Sequence, residues 1–275
     1  MAIWNTPLTV AELESFKIQK GKIKYEVGKR TDTMVLKLSM PIFQNEEKVI
    51  TAPLALKLKH YINGASIRYT TDGSDPDSLQ SKVYDNTVQI NKGLLVKTKA
   101  FKTGWISSDI SQQYFFKSGF LPDSAQLVTA PDPKYSKGGG KILFDLDKGD
   151  LNTTTGKWLG YRDNKMEAIF FFKEPIKATS VTVSAMKFIS PYIMPPAYIE
   201  VWGGNDPRQL KLLGKRRPVQ PLKDEPGEVT AYEVPFSEHT LKCIKVIAVP
   251  VSKMPPWHPG KGEKGWVFVD EILVN

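Results

Sequence analysis

The amino-acid sequence predicts an all-β chain built from two consecutive β-sandwich domains. Three observations lead there. Apolar or alternating segments of strand length recur along the chain, and Asn-, Asp- and Gly-rich turns separate them. A Pro- and Gly-rich stretch near the middle then divides them into two sets. A length of 275 residues suits two domains that each bury a core, and 41% hydrophobic with 24% charged residues is ordinary for a folded chain.

From the N-terminus, Thr9-Val10-Ala11-Glu12 fits a capping box ahead of a short helix through about Phe16. Strands are expected at 22–27, 33–38, 49–61, 66–70, 83–90, 94–101 and 110–116. Asn63-Gly64, Asp72-Gly73, Asp75-Pro76-Asp77, Asn91-Lys92-Gly93 and Thr103-Gly104 supply the turns between them. Short strands at regular spacing argue for a sandwich over a parallel α/β sheet.

The boundary is expected at 119–141, which holds Pro122, Pro131, Pro133 and the triple glycine Gly138–Gly140. Lys141 is read as leading into a strand, with no Lys-Ser/Thr pair opening a helix, so a phosphate-binding loop is excluded. Beyond it, strands are expected at 142–144, 167–172, 178–186, 197–202, 210–213, 230–234, 242–249 and 266–274. About eight antiparallel strands with long loops point to a jelly roll. The expected layout is thus an extension over 1–40, a first sandwich over 41–118, a linker over 119–141 and a jelly roll over 142–275.

Composition narrows the function classes. One cysteine, Cys243, excludes an internal disulfide and a cysteine-cluster metal site, and its apolar run reads as a buried strand. The net charge of +9 is spread out: 17 basic against 11 acidic residues through Ser118, then 21 against 18. Arg208, Lys211, Lys215, Arg216 and Arg217 form the densest basic group, without any nucleic-acid-binding motif, so no nucleic acid partner is expected. No apolar run reaches about 18 residues, so no membrane insertion is expected. The first residues lack the pattern of a signal peptide, which leaves either a cytoplasmic protein or a piece of a longer exported one.

The segment Ala65-Ser66-Ile67-Arg68-Tyr69-Thr70-Thr71-Asp72-Gly73-Ser74-Asp75-Pro76 is followed by Tyr84, the strand from Val96 to Lys102, Gly104 and Ser108-Asp109. This order resembles the fibronectin-III-related module found near the C-termini of bacterial chitobiases and β-hexosaminidases, over about 41–117. By themselves the residues read as structural, with Asp72 and Ser74 closing a tight turn around Gly73 and with Tyr69 and Tyr84 in packing roles.

The second half offers Leu143-Phe144-Asp145 with Gly149, Trp158-Leu159-Gly160-Tyr161, the run from Ile199 to Asp206, and the closing run PWHPGKGEKGWVFVDEI from Pro256 to Ile272. These resemble the discoidin-like, coagulation-factor type C family, a galactose-binding-like jelly roll. One departure is Phe170-Phe171-Phe172-Lys173-Glu174-Pro175, where the family has an aspartate-led turn.

The resemblance implies a ligand held by loops at one end of the jelly roll. A sugar needs an aromatic wall for its apolar face and polar groups for its hydroxyls. Tyr192, Trp257 and His258 are the candidates for carbohydrate contact, with Arg216 and Arg217 as polar partners. The other reading of Trp257 and His258 is that they anchor a long proline-rich loop. Trp158 and Trp266 read as core. The resemblance also implies one structural calcium ion, held by Asp145, Asp147, Asp150 and Glu271, with a plain hydrogen-bonded turn as the alternative.

No nucleophile elbow, zinc-protease motif or nucleotide fingerprint is present, and His60, His239 and His258 are scattered. Asp270 and Glu271 are adjacent strand residues, expected on opposite faces, and so cannot flank one glycosidic bond. The expectation is a non-enzymatic accessory module of a larger exported bacterial protein, extracytoplasmic and associated with a glycoside hydrolase, that binds carbohydrate. The alternative is a structural spacer or protein-docking module.

Overall fold

A computed structural model describes residues 17–19, 22–27 and 30–275. The capping box from Thr9 to Glu12 lies outside the described residues. Those described form two compact units, one from residues up to 46 with 53–115, the other from 47–52 with 116–275. Both units are β-sandwiches, as the sequence predicts. No described helix is long and apolar enough to cross a membrane.

The first unit opens with an antiparallel ribbon of β1 (Lys17–Gln19), β2 (Lys22–Val27) and β3 (Arg30–Val35). The strands that follow in the chain are β4 (Ile42–Phe43), β5 (Val49–Ile50), β6 (Leu54–Ala55), β7 (Leu58–Lys59), β8 (Ser66–Thr70), β9 (Lys82–Val83), β10 (Gln89–Ile90), β11 (Leu94–Phe101) and β12 (Ser111–Lys117), of which β5 and the last two residues of β12, paired with each other, belong to the second unit. One side of its sandwich pairs β4 with β7 and β6 with β10, and the other runs β9-β8-β11-β12. Along β11 every second residue is buried (Val96, Thr98, Ala100), the period of a strand with one face on a core. Leu56, Leu58, Ile67, Ile90 and Phe115 complete that core.

The single strand expected over 49–61 is broken into β5, β6 and β7. Pro53 has no amide to donate, and the Asn45 side chain takes over the local pairing. Its amide donates to Ala55 O and its oxygen accepts from Lys57 N, at 2.9 and 2.8 Å.

The second unit contains β13 (Ser124–Leu127), β14 (Leu159–Tyr161), β15 (Met166–Lys187), β16 (Tyr198–Gly204), β17 (Lys211–Arg216), β18 (Glu228–Val249) and β19 (Val267–Val274). Its two 22-residue strands, β15 and β18, pair with each other along their length and shift register after Phe171 and after Ala178. The first half of β15 and the second half of β18 lie with β13, β16 and β17. Their other halves lie with β19 and β14. Two bent strands therefore serve both layers, as corner strands do. Between the layers lies one continuous core that includes Tyr161, Phe170, Val183, Val201, Val234, Val246 and Val269.

Four expectations change here. Strands 230–234 and 242–249 are one strand, β18, carried through by its pairing with β15. Strands 167–172 and 178–186 are one strand, because Lys173-Glu174-Pro175 is absorbed as a bulge. The run 142–144 is the end of a 3-10 turn, Gly139–Leu143, in which Ile142 and Leu143 are buried. A three-residue apolar run carries no periodicity to separate the two outcomes. The segment 119–141 holds β13, paired to Phe170 and its neighbours, and so is part of the second unit's sheet rather than a free linker.

Candidate functional site

Loops 188–197, 217–227 and 250–266 meet at one end of the second unit. Met194 N donates to Trp266 O at 3.1 Å, and Gln220 Nε2 donates to Pro195 O and Pro196 O at 3.3 and 3.1 Å. The loop from Met254 to Gly265 is closed on itself by Met254 N to Glu263 O (2.6 Å) and Gly262 N to Met254 O (3.1 Å). At its centre is His258, only 4% exposed. Its Nδ1 accepts from Gly260 N at 2.9 Å, so the ring proton is on Nε2, which donates to Ile189 O at 3.1 Å.

The Tyr192 and Trp257 rings lie 4.9 and 5.9 Å from that imidazole, and both pack on Ile189, Met194 and Met254. Tyr192 sits at φ +69°, and a Cβ on Gly260 would come within 1.9 Å of its ring. Arg162 caps the cluster, with its guanidinium 5.9 Å from the Tyr192 ring and a 3.1 Å bond to Glu263. The structure thus gathers Tyr192, Trp257 and His258 into one group but corrects the role of His258. Both ring nitrogens are spent on backbone, so it anchors the loop. Tyr192 and Trp257 keep partly exposed faces.

Arg216 and Arg217 make their contacts elsewhere. Arg216 Nη1 donates to Glu233 O at 2.8 Å and its guanidinium lies 5.7 Å from the Tyr232 ring, while Arg217 lies 6.0 Å from the Tyr198 ring. Arg216 lines a cleft of about 670 Å³ whose other walls include Lys187, Tyr232, Gln220, Leu222 and Glu228. Lys187 bonds to Glu225 at 2.6 Å and Glu228 at 2.8 Å. Burial pulls its pKa down, but the two carboxylates outweigh burial and leave it above the usual lysine value. Val219 and Leu222 stand 91% and 87% exposed on the loop above. Sequence reasoning missed this cleft. Its one signal was the spacing of Pro218, Pro221 and Pro226 around exposed apolar residues.

Of the four acidic residues implied for calcium, Asp145 lies against Glu271 while the other two turn to different partners. Asp147 pairs with Lys157, and Asp150 accepts from Asn152 N at 2.8 Å to close a turn. Glu271 is fully buried, and neither of its carboxylate oxygens has a hydrogen-bond partner among the described residues. Burial first, then the neighbouring Asp270 and Asp145 charges, push its pKa up to about 9 against the pull of Lys148. Asp270 is also fully buried, and its Oδ2 lies 2.5 Å from Lys148 Nζ. The residues present do not fit a calcium ion, because the Lys148 ammonium sits on Asp270 beside Glu271, and Asp147 and Asp150 are engaged elsewhere. Asp270 falls where the β15–β19 register slips, between the pairs Ser184–Glu271 and Ala185–Val269, so simple alternation does not hold there. The pair is closed to a substrate by burial instead.

Residues 56–115 match the family model described as Fn3 associated. The likeness drawn from Ala65 to Pro76 lies within that match. No curated protein matches the chain. Among solved structures it is similar to the C-terminal domain of a chitobiase from Bacteroides fragilis, with 14% identity, a TM-score of 0.38, and coverage of 57% of this chain and 95% of that one. It is similar as well to a CBM32 module from Clostridium perfringens in complex with GalNAc-β-1,3-galactose, at 11% identity and TM-score 0.37, covering 55% and 93%. A third is a chitosan-binding module of a chitosanase/glucanase from Paenibacillus sp. IK-5, at 11% identity and TM-score 0.33, covering 56% and 96%.

In the Fn3-associated region the motif residues hold the chain together. Asp72 Oδ1 accepts from Ser74 N and Oγ at 3.0 and 2.6 Å, across Gly73 at φ +88°. Tyr84 donates to Leu56 O at 2.7 Å and accepts from Leu58 N at 3.1 Å, which ties the strand-turn to β6 and β7. In the other unit, Cys243 is a buried free thiol whose pKa is raised by burial, the environment of a packing residue.

Proposed function

We propose that this chain is a non-catalytic accessory module of a larger exported bacterial protein, associated with a glycoside hydrolase, whose second unit binds carbohydrate at its loop end. The cleft between Arg216, Tyr232 and the 217–227 loop carries the reading. About 670 Å³ is the size of a small-ligand site. Leu222 and the Tyr232 edge offer apolar contact for a sugar face, and Lys187, Arg216, Gln220 and Glu228 offer donors and acceptors for hydroxyls. The partly exposed Tyr192 and Trp257 are the second candidate surface at the same end.

A glycan array probed with the chain and with Leu222→Ser, Arg216→Ala and Trp257→Ala variants tests this. Binding lost in the first two and kept in the third assigns the cleft. Loss in Trp257→Ala alone moves the site to the Tyr192–Trp257 face. A folded chain that binds no glycan leaves the docking role, which the exposure of Val219 and Leu222 favours.

A further inference from the structure

We propose that the second unit carries its own cation, with the Lys148 ammonium held between the 145–150 loop and β19, where a metal ion would otherwise neutralise buried carboxylates. The side chains of Lys148 and Asp270 are 3% and 0% exposed, and Nζ to Oδ2 is 2.5 Å. Nζ also bonds to Ser184 Oγ on β15 and lies 4.1 Å from the centre of the Phe116 ring. The same Oδ2 accepts from Gly149 N at 2.9 Å. One ammonium therefore joins the loop, β15, β19 and Phe116, all in the second unit, through groups removed from water.

Glu271 stands beside this pair with the Asp145 side chain close against it, and Lys48 is a further cation nearby; burial pulls the Lys148 pKa below the usual lysine value against the opposing pull of Asp270 and Glu271. The loop is packed directly on Trp158 at Gly149. A Cβ on Gly149 would come within 2.3 Å of Trp158, a ring only 1% exposed whose Nε1 donates to Asp150 O at 3.0 Å. Lys148 takes Asp270 Oδ2 and leaves Oδ1 without a hydrogen-bond partner among the described residues, so a divalent cation on Oδ1 would sit across one carboxylate from the ammonium, and two cations that close in a buried site repel strongly. The sequence reading passed over Lys148 because a lysine among three aspartates reads as a solvated loop.

The test uses the whole chain and calcium or terbium as the probe ion. The expected result is no bound metal by elemental analysis, a melting temperature unmoved within about 1 °C by EDTA or millimolar Ca²⁺, and no saturable terbium luminescence. Lys148→Ser is expected to melt several degrees lower and to gain a calcium-dependent rise of about 5 °C, as the vacated carboxylates accept an ion. If that variant does not fold, Lys148→Gln in the same melts takes its place. Stoichiometric calcium in the purified protein, or an EDTA-induced fall of 5 °C or more in the unmodified chain, overturns the proposal. So does a folded Lys148 variant with an unchanged melting temperature and no calcium response.

Discussion

Two loops at the same end of the second unit are built in opposite ways. The loop from Met254 to Gly265 is stitched to the body. A buried imidazole bridges Ile189 and Gly260, two rings pack on it, and Arg162 clamps its far side. The 217–227 loop leans on its surroundings through Gln220 and through the Lys187–Glu225 pair, and it leaves Val219 and Leu222 in water. The first contains the most distinctive run in the sequence, and the second has no motif. Distinctive residue types at this end therefore report the cost of holding a long loop in one conformation, while the open ligand-sized surface comes from an unremarked proline-rich stretch.

The largest effect expected on this contrast is from His258→Ala. It leaves Gly260 N without its acceptor in a dry site, takes one of two donors from Ile189 O (Tyr192 N stays at 2.7 Å) and opens a ring-sized void, so the chain should lose about 2–4 kcal/mol in urea unfolding. A loss under about 1 kcal/mol would mean the loop does not depend on its imidazole. Gly260→Ala comes next, at about 1–3 kcal/mol, because the new methyl group collides with Tyr192. The combination with Tyr192→Ala should cost less than the sum of the two single changes, since removing the ring removes the clash. Additive costs would break that assignment. In the open loop, Leu222→Ser should change stability by no more than about 0.5 kcal/mol while reducing any glycan binding. A loss of several kcal/mol there would show that the loop is packed after all and erase the distinction.

What the sequence made legible follows the same division. The Asp72-Gly73-Ser74 turn and the alternation of β11 were readable because turn chemistry and period two are local, and both are present as expected. The grouping of Tyr192 with Trp257 and His258 followed from the family resemblance together with the aromatic content of the two loops, but the burial of His258 was not readable, because it depends on Ile189, 69 positions away. Arg216 and Arg217 were grouped with them by charge alone, and the strand register placed them against Tyr232 and Tyr198 instead. The continuity of β15 across Lys173-Glu174-Pro175 was hidden for the opposite reason. A proline locally ends a strand, but pairing on both sides of the bulge carries this one through.

The smallest predicted effect sharpens the comparison on the open side. Lys187 bonds to Glu225 across the cleft and to Glu228 at the start of β18, and its folded-state pKa lies above the ordinary 10.5 because those bonds outweigh burial. A raised lysine pKa adds stability that is fully present below the unfolded value and is lost as pH climbs through the folded one. Lys187→Met keeps the apolar stem but removes that contribution. The two carboxylates left behind are 35% and 50% exposed and can turn to water, so the change should cost under about 1 kcal/mol near neutrality. The gap between the two proteins should stay flat from neutral pH to about pH 9.5 and narrow above about pH 10.5. Urea midpoints taken across that range read it directly. A gap that widens with alkali would mean Lys187 is strained in its place, and that the cleft wall is held by the loop's prolines rather than by the ion pair.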